Sequence, residues 1–157
     1  MNTYTAKKIG EVLAFTQVGN ETLVKGEIAL NPALNEEVQQ LLSEYKNHET
    51  LIIENASAHN TLDAVNEKAE KTGAKIRKMR DLYLAEDDWM DAAELHEWLG
   101  FFLGAAIVHW TLVKGAAESL GDAKLIELAE IGIHFHENFL DTIARSIKEI
   151  GRESAQA

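Results

Sequence analysis

The chain has no cysteine and a single proline, Pro32, in 157 residues. The first absence rules out a disulfide framework, thiolate chemistry and Cys-ligated metal, so any metal must be held by histidine and carboxylate. The second, with ten scattered glycines and no Ser/Gly/Pro-rich tract, leaves helix formers in control and gives no linker that would divide the chain. Basic residues are also scarce. Fifteen stand against twenty-six acidic ones, a formal charge of −11 that repels phosphate backbones and anionic membranes, so nucleic acid is not an expected partner. Long apolar runs are missing too. The most apolar stretch, Trp98 to Trp110, covers only 13 residues with His109 at its edge, short of a membrane span, and reads as a buried helix. The N-terminal residues are too broken in hydropathy for a signal peptide, so the expected location is cytoplasmic.

What is present is 46% hydrophobic residues, enough to close one core over 1–157 as a single domain. Part of the sequence is used twice. Thr22-Leu23-Val24-Lys25-Gly26 returns as Thr111-Leu112-Val113-Lys114-Gly115, and each copy is followed about 25 residues on by a His-Glu pair, His48-Glu49 and His136-Glu137. The pattern is that of a duplicated helical hairpin.

Apolar spacing predicts a first helix over 5–30, ending at Asn31-Pro32, and a second that starts at Asn31 or Asn35 with the stripe Val38, Leu41, Tyr45, His48, Ile52. A break near His59-Asn60-Thr61 precedes a crossover helix over 61–84, loosened at Thr72-Gly73. Asp87-Asp88 opens a third bundle helix over 88–120. Gly121-Asp122 then stops that helix and caps a fourth over 123–150.

Each hairpin points histidine inward. His48, His109 and His136 fall on apolar stripes at similar depth, and the repeat sets Glu21 beside the first-helix counterpart of His109. Glu21, His48, His109 and His136 are therefore expected to meet near the bundle centre, a ligand set for iron, manganese or zinc. Glu49 and Glu137 flank the stripes and can orient the imidazoles, with Glu27 in reserve. Gly19, Gly104 and Gly132 cluster at the same level, leaving space for a ligand, for Tyr45 and Trp110, or for close helix approach.

A duplicated antiparallel hairpin, a long crossover and inward His and Glu at mid-bundle resemble the ferritin-like superfamily over essentially the whole chain. The resemblance implies an all-α, ferritin-like four-helix bundle with an extra crossover helix, and iron handling or a stress-response role. Family members place a Glu on the first helix of each hairpin and Glu-x-x-His on the second. Here Glu21, His48 and His136 match. Tyr45 and Ile133 stand three before the two histidines, and Trp110 occupies the repeat position of Glu21. With those carboxylates missing, the expectation is a mononuclear His-rich site. A rearranged di-iron centre using Glu27, Glu49 and Glu137 is the further variant. The rival is a metal-free bundle acting through its surface or through a small pocket lined by Tyr45, Phe102 and Trp110. The third bundle helix has apolar surface to spare, which favours a homodimer.

Overall fold

The computed structural model describes residues 1–157 as five helices and no strand: α1 (Thr3–Ala33), α2 (Val38–Ala58), α3 (Leu62–Tyr83), α4 (Ala92–Leu120) and α5 (Ala123–Gln156), with a 3-10 turn at Glu86–Met90 before α4. Local chemistry sets the ends. Asn2 accepts from the Thr5 amide (2.9 Å), Asp91 from Ala93 (2.9 Å) and Glu94, and Asp122 from Leu125 (3.0 Å), each satisfying amides that lack an intrahelical partner. Gly121 closes α4 in the left-handed region, φ 66°.

The end of α1, the starts of α2 and α4 and the end of α5 differ from the sequence reading. Pro32 sits inside the last turn of α1, and α2 starts only at Val38 after Asn35 and Glu36 turn the chain with positive φ. The carbonyl that Pro32 cannot reach belongs to Ile28, 75% exposed, where water can replace the lost amide. Asp88 does not open α4; it accepts from the Ala85 amide (2.7 Å) within the 3-10 turn, and Asp91 is the cap. α3 runs unbroken through Thr72-Gly73.

α1 is the centre of the molecule. Every residue from Ile9 to Thr16 is buried, as expected of a helix that is apolar on all sides and packs against α2, α3 and α4. α3 lies parallel to it, Gly10 beside Val65 and Lys68 and Glu21 beside Arg77 and Arg80. A β-carbon at Gly10 would stand 2.6 Å from the Val65 carbonyl, so this approach needs glycine. α4 runs antiparallel to α1, with Phe15 on Phe102 (5.3 Å between ring centres) and Gly26 against Leu95. α5 runs antiparallel to α4 and α2, and its Asp122 end meets His59 at the end of α2 (3.2 Å). The result is an all-helical bundle of α1, α2, α5 and α4 with α3 laid along α1.

α4 is not the buried helix expected. By length and composition it is apolar enough to cross a membrane, yet only 33% of its most apolar window is buried in the protein. Flanking residues extend the helix well beyond the 13-residue run, and one side of it faces outward.

Candidate functional site

His136 lies one turn after Gly132 on the buried side of α5. Its Nδ1–H donates to the Gly132 carbonyl (2.6 Å), which fixes the ring and leaves Nε2 as an acceptor. The Tyr45 hydroxyl of α2 supplies the proton across the interface, 3.2 Å from Nε2. Both side chains are fully buried. Burial drives the His136 pKa down to about 4, against the opposing pull of the Gly132 carbonyl, so the ring is neutral at pH 7. Burial likewise raises the Tyr45 phenol.

His48, one turn after Tyr45 on α2, completes the cluster, with ring centres 6.4 Å from His136 and 4.9 Å from Phe135, the latter edge-on. It is 0% exposed, and neither ring nitrogen has a hydrogen-bond partner. Glu44 Oε2 is the one carboxylate nearby, 3.9 Å from Nε2 and beyond hydrogen-bond reach. Burial lowers the pKa of His48 and Glu44 only partly opposes it, so His48 is also held neutral. An unpartnered buried N–H of this kind costs about 1–3 kcal/mol.

Two glycines make room for this arrangement. A β-carbon at Gly19 would stand 2.6 Å from the Tyr45 ring, and one at Gly132 would overlap the Trp110 indole. The space expected at mid-bundle is filled by those two rings. Trp110 Nε1 and Asn20 Nδ2 are also buried without partners. Of the apolar trio Tyr45, Phe102 and Trp110, Phe102 belongs to a different group, packing on Phe15 and on Trp98 (6.3 Å). Two surface clefts lie beside His59 and Lys124 and between Pro32 and Arg145, and none of the trio lines either.

The other expected ligands are elsewhere. Glu21 faces α3 and is clamped by Arg80 Nη1 (2.9 Å) and Arg77 Nε (3.0 Å). The guanidiniums outweigh its partial burial and hold its carboxyl below the usual range. His109 is half-buried on the α1 side of α4, where Nδ1 donates to Glu11 (3.0 Å). Glu11 is itself buried and also bonded by Lys8 (3.0 Å). Glu49 is met by Gln17 (3.4 Å), Glu27 accepts from Gln39, and Glu137 is exposed. The four-residue meeting of Glu21, His48, His109 and His136 is thus not formed, because α3 and the buried Glu11 draw two of its members outward. No three histidines and carboxylates share a position that could hold one ion.

Sequence reasoning passed over the donor that does join the histidines, Tyr45. Its signal was the spacing Tyr45-x-x-His48, an oxygen-bearing side chain where the resemblance has Glu-x-x-His. It also passed over His96, which is buried with Nδ1 donating to the Ala92 carbonyl (2.6 Å) and Nε2 against the Ser146 hydroxyl (2.8 Å).

No protein-family model matches the chain, and no curated protein or solved structure is similar enough to it to count as a relative. The chemistry of the site therefore rests on its own residues. Two neutral imidazoles and a phenol, drawn from facing helices and closed off from water, form a set of nitrogen and oxygen donors with no charged group among them.

Proposed function

We propose that the chain binds one transition-metal ion in the bundle interior through His48, His136 and Tyr45. The observation that carries this reading is His48, fully buried with both ring nitrogens unpartnered. A ligating imidazole commonly donates its second N–H to a carbonyl, as His136 does to Gly132, and this aims Nε2 at the ion. The 3.2 Å between Tyr45 Oη and His136 Nε2 matches two donors at about 2.0–2.1 Å from a shared ion. Two imidazoles on one tetrahedral ion leave their centres about 5 Å apart. The observed 6.4 Å requires a small rotation of His48, whose ring no hydrogen bond restrains.

Imidazole and phenolate suit ferric iron, and imidazole also suits zinc, so iron handling is the role that the donor set and the ferritin-like resemblance jointly favour. Neutral imidazoles at pH 7 are already in the ligating state, and a cation would release the Tyr45 proton despite burial.

Elemental analysis of protein purified without chelators is expected to give about one ion per chain, lost in both His48→Ala and His136→Ala. A metal-free wild type that gains no thermal stability from iron, manganese or zinc overturns the proposal. The second reading, a metal-free structural core, draws on the same Tyr45 hydroxyl, which already occupies His136 Nε2. It predicts that outcome.

A further inference from the structure

α4 buries Leu99, Phe102, Leu103, Ala106 and Trp110 and turns the opposite side to solvent. That side carries Phe101 (65% exposed), Val108 (66%) and Leu112 (38%), with Gly104 and Ala105 between them. Between Trp98 and Val113 there is no charged residue, in a chain whose formal charge is −11. The strip continues onto α3 through Tyr83, edge-on to Phe101 at 5.5 Å, and Met79, one turn earlier and 61% exposed. At Gly100, Gly104 and Gly115 no atom lies within 4 Å of where a β-carbon would stand. Packing within the chain therefore gives no reason for glycine at three positions of a helix that glycine weakens.

We propose that this face docks on the same face of a second copy, α4 antiparallel to α4 about a two-fold axis near Gly104-Ala105. The face is self-complementary about that point. Phe101 of each copy falls on Val108 of the other, and the absence of a side chain at Gly104 lets the helices close until the ring fills the gap. Charge chooses the antiparallel sense. A parallel pair would stack Glu94 and Glu97 on their own copies, whereas the antiparallel pair sets them opposite the uncharged Gly115 and Leu112 of the other copy.

The area is of the right size. Phe101, Val108, Leu112, Met79 and Tyr83 expose roughly 500 Å² of side chain before the small residues between them are added, against ~800 Å² per partner in a standard interface. A single soluble chain seldom leaves a contiguous apolar strip of that extent uncovered.

Sedimentation of the full-length protein across low to high micromolar concentration is expected to show a dimer. Gly104→Arg, whose new side chain meets open space in the single chain, and Phe101→Glu, at a position 65% exposed, are expected to weaken it about 30-fold or more while leaving the helical circular dichroism unchanged. In this cysteine-free chain, Ala105→Cys is expected to cross-link through a disulfide on oxidation, and Ser43→Cys, on the exposed side of α2, is not. A folded wild type that stays monomeric throughout overturns the proposal. So does a dimer that neither substitution weakens, or an α4 face that instead binds the folded monomer to neutral phosphatidylcholine vesicles.

Discussion

The Tyr45 hydroxyl and the His136 imidazole meet across the α2–α5 interface at 3.2 Å, on opposite walls of a site that excludes water. Tyr45→Phe removes the donor and leaves the ring nitrogen unpartnered, so urea unfolding should show a loss of about 1–2 kcal/mol. The same variant separates the two proposed kinds of ligand. Ferric protein should lose its visible phenolate-to-iron absorption, while zinc, which relies on the imidazoles, should still raise the melting temperature. A ferric protein whose colour survives the substitution would remove Tyr45 from the ligand set.

Acid should weaken the fold in a defined window. An unfolded histidine titrates near 6.5, but His136 in the fold binds a proton only near pH 4, because burial disfavours its charged form. The unfolded chain therefore holds more protons between those values, and stability falls as pH drops from about 6.5 to about 4, then levels for this group. His136 alone contributes about 3 kcal/mol to that slope, and burial acts in the same direction on His48 and His96. Denaturation midpoints across this range should fall less steeply in His136→Gln. Equal slopes would mean that the acid sensitivity arises elsewhere.

Glu21→Gln distinguishes a structural carboxylate from a ligand. Arg80 is 6% exposed and loses its charged partner on α1, although Thr22 (3.3 Å), Asp81 (3.0 Å) and the Trp89 ring remain around it. A cost of about 1–2 kcal/mol is expected, less than for a fully buried pair because Glu21 is partly solvated. Metal content should not change. A Glu21→Gln protein that unfolds normally but loses its ion would restore Glu21 to the site.

At Gly132, alanine would drive a methyl group into the Trp110 indole. The helix gains propensity, but overpacking should outweigh it by about 1–3 kcal/mol. Trp110 fluorescence should report the displaced ring. Unchanged fluorescence together with raised stability would show that α5 can shift to take the methyl group at no cost.

The helices were legible because their ends are chemical: Gly121-Asp122 and the turn before Thr61 stand where spacing and capping put them. His48 and His136 were legible as core because each sits in a stripe that one neighbouring helix covers. Glu21 and His109 were not. α1 touches α2, α3 and α4, so its sequence cannot say which neighbour a mid-helix residue faces, and the contact with α3 is a fact of tertiary packing. The repeated pentapeptide also misled in phase. In α1 Leu23 is buried and Val24 is 55% exposed, while in α4 Leu112 is exposed and Val113 is buried. One residue is about 100° of rotation. A ruler laid along the repeat therefore put Glu21 and Trp110 in equivalent places when only Trp110 faces the core.

The all-round burial of α1 from Ile9 to Thr16 also bears on how the protein is made. A helical stretch without a solvent face is an aggregation hazard until it is covered, and this one is synthesised before every helix that covers it. α2 and α3 follow it directly and close two of its sides. The flank holding Glu11 and Phe15 waits for α4, more than 80 residues behind in synthesis. For that interval the buried carboxylate of Glu11, with Lys8 and Lys68 alongside, gives the open flank a hydrated group, which a wholly apolar surface would lack.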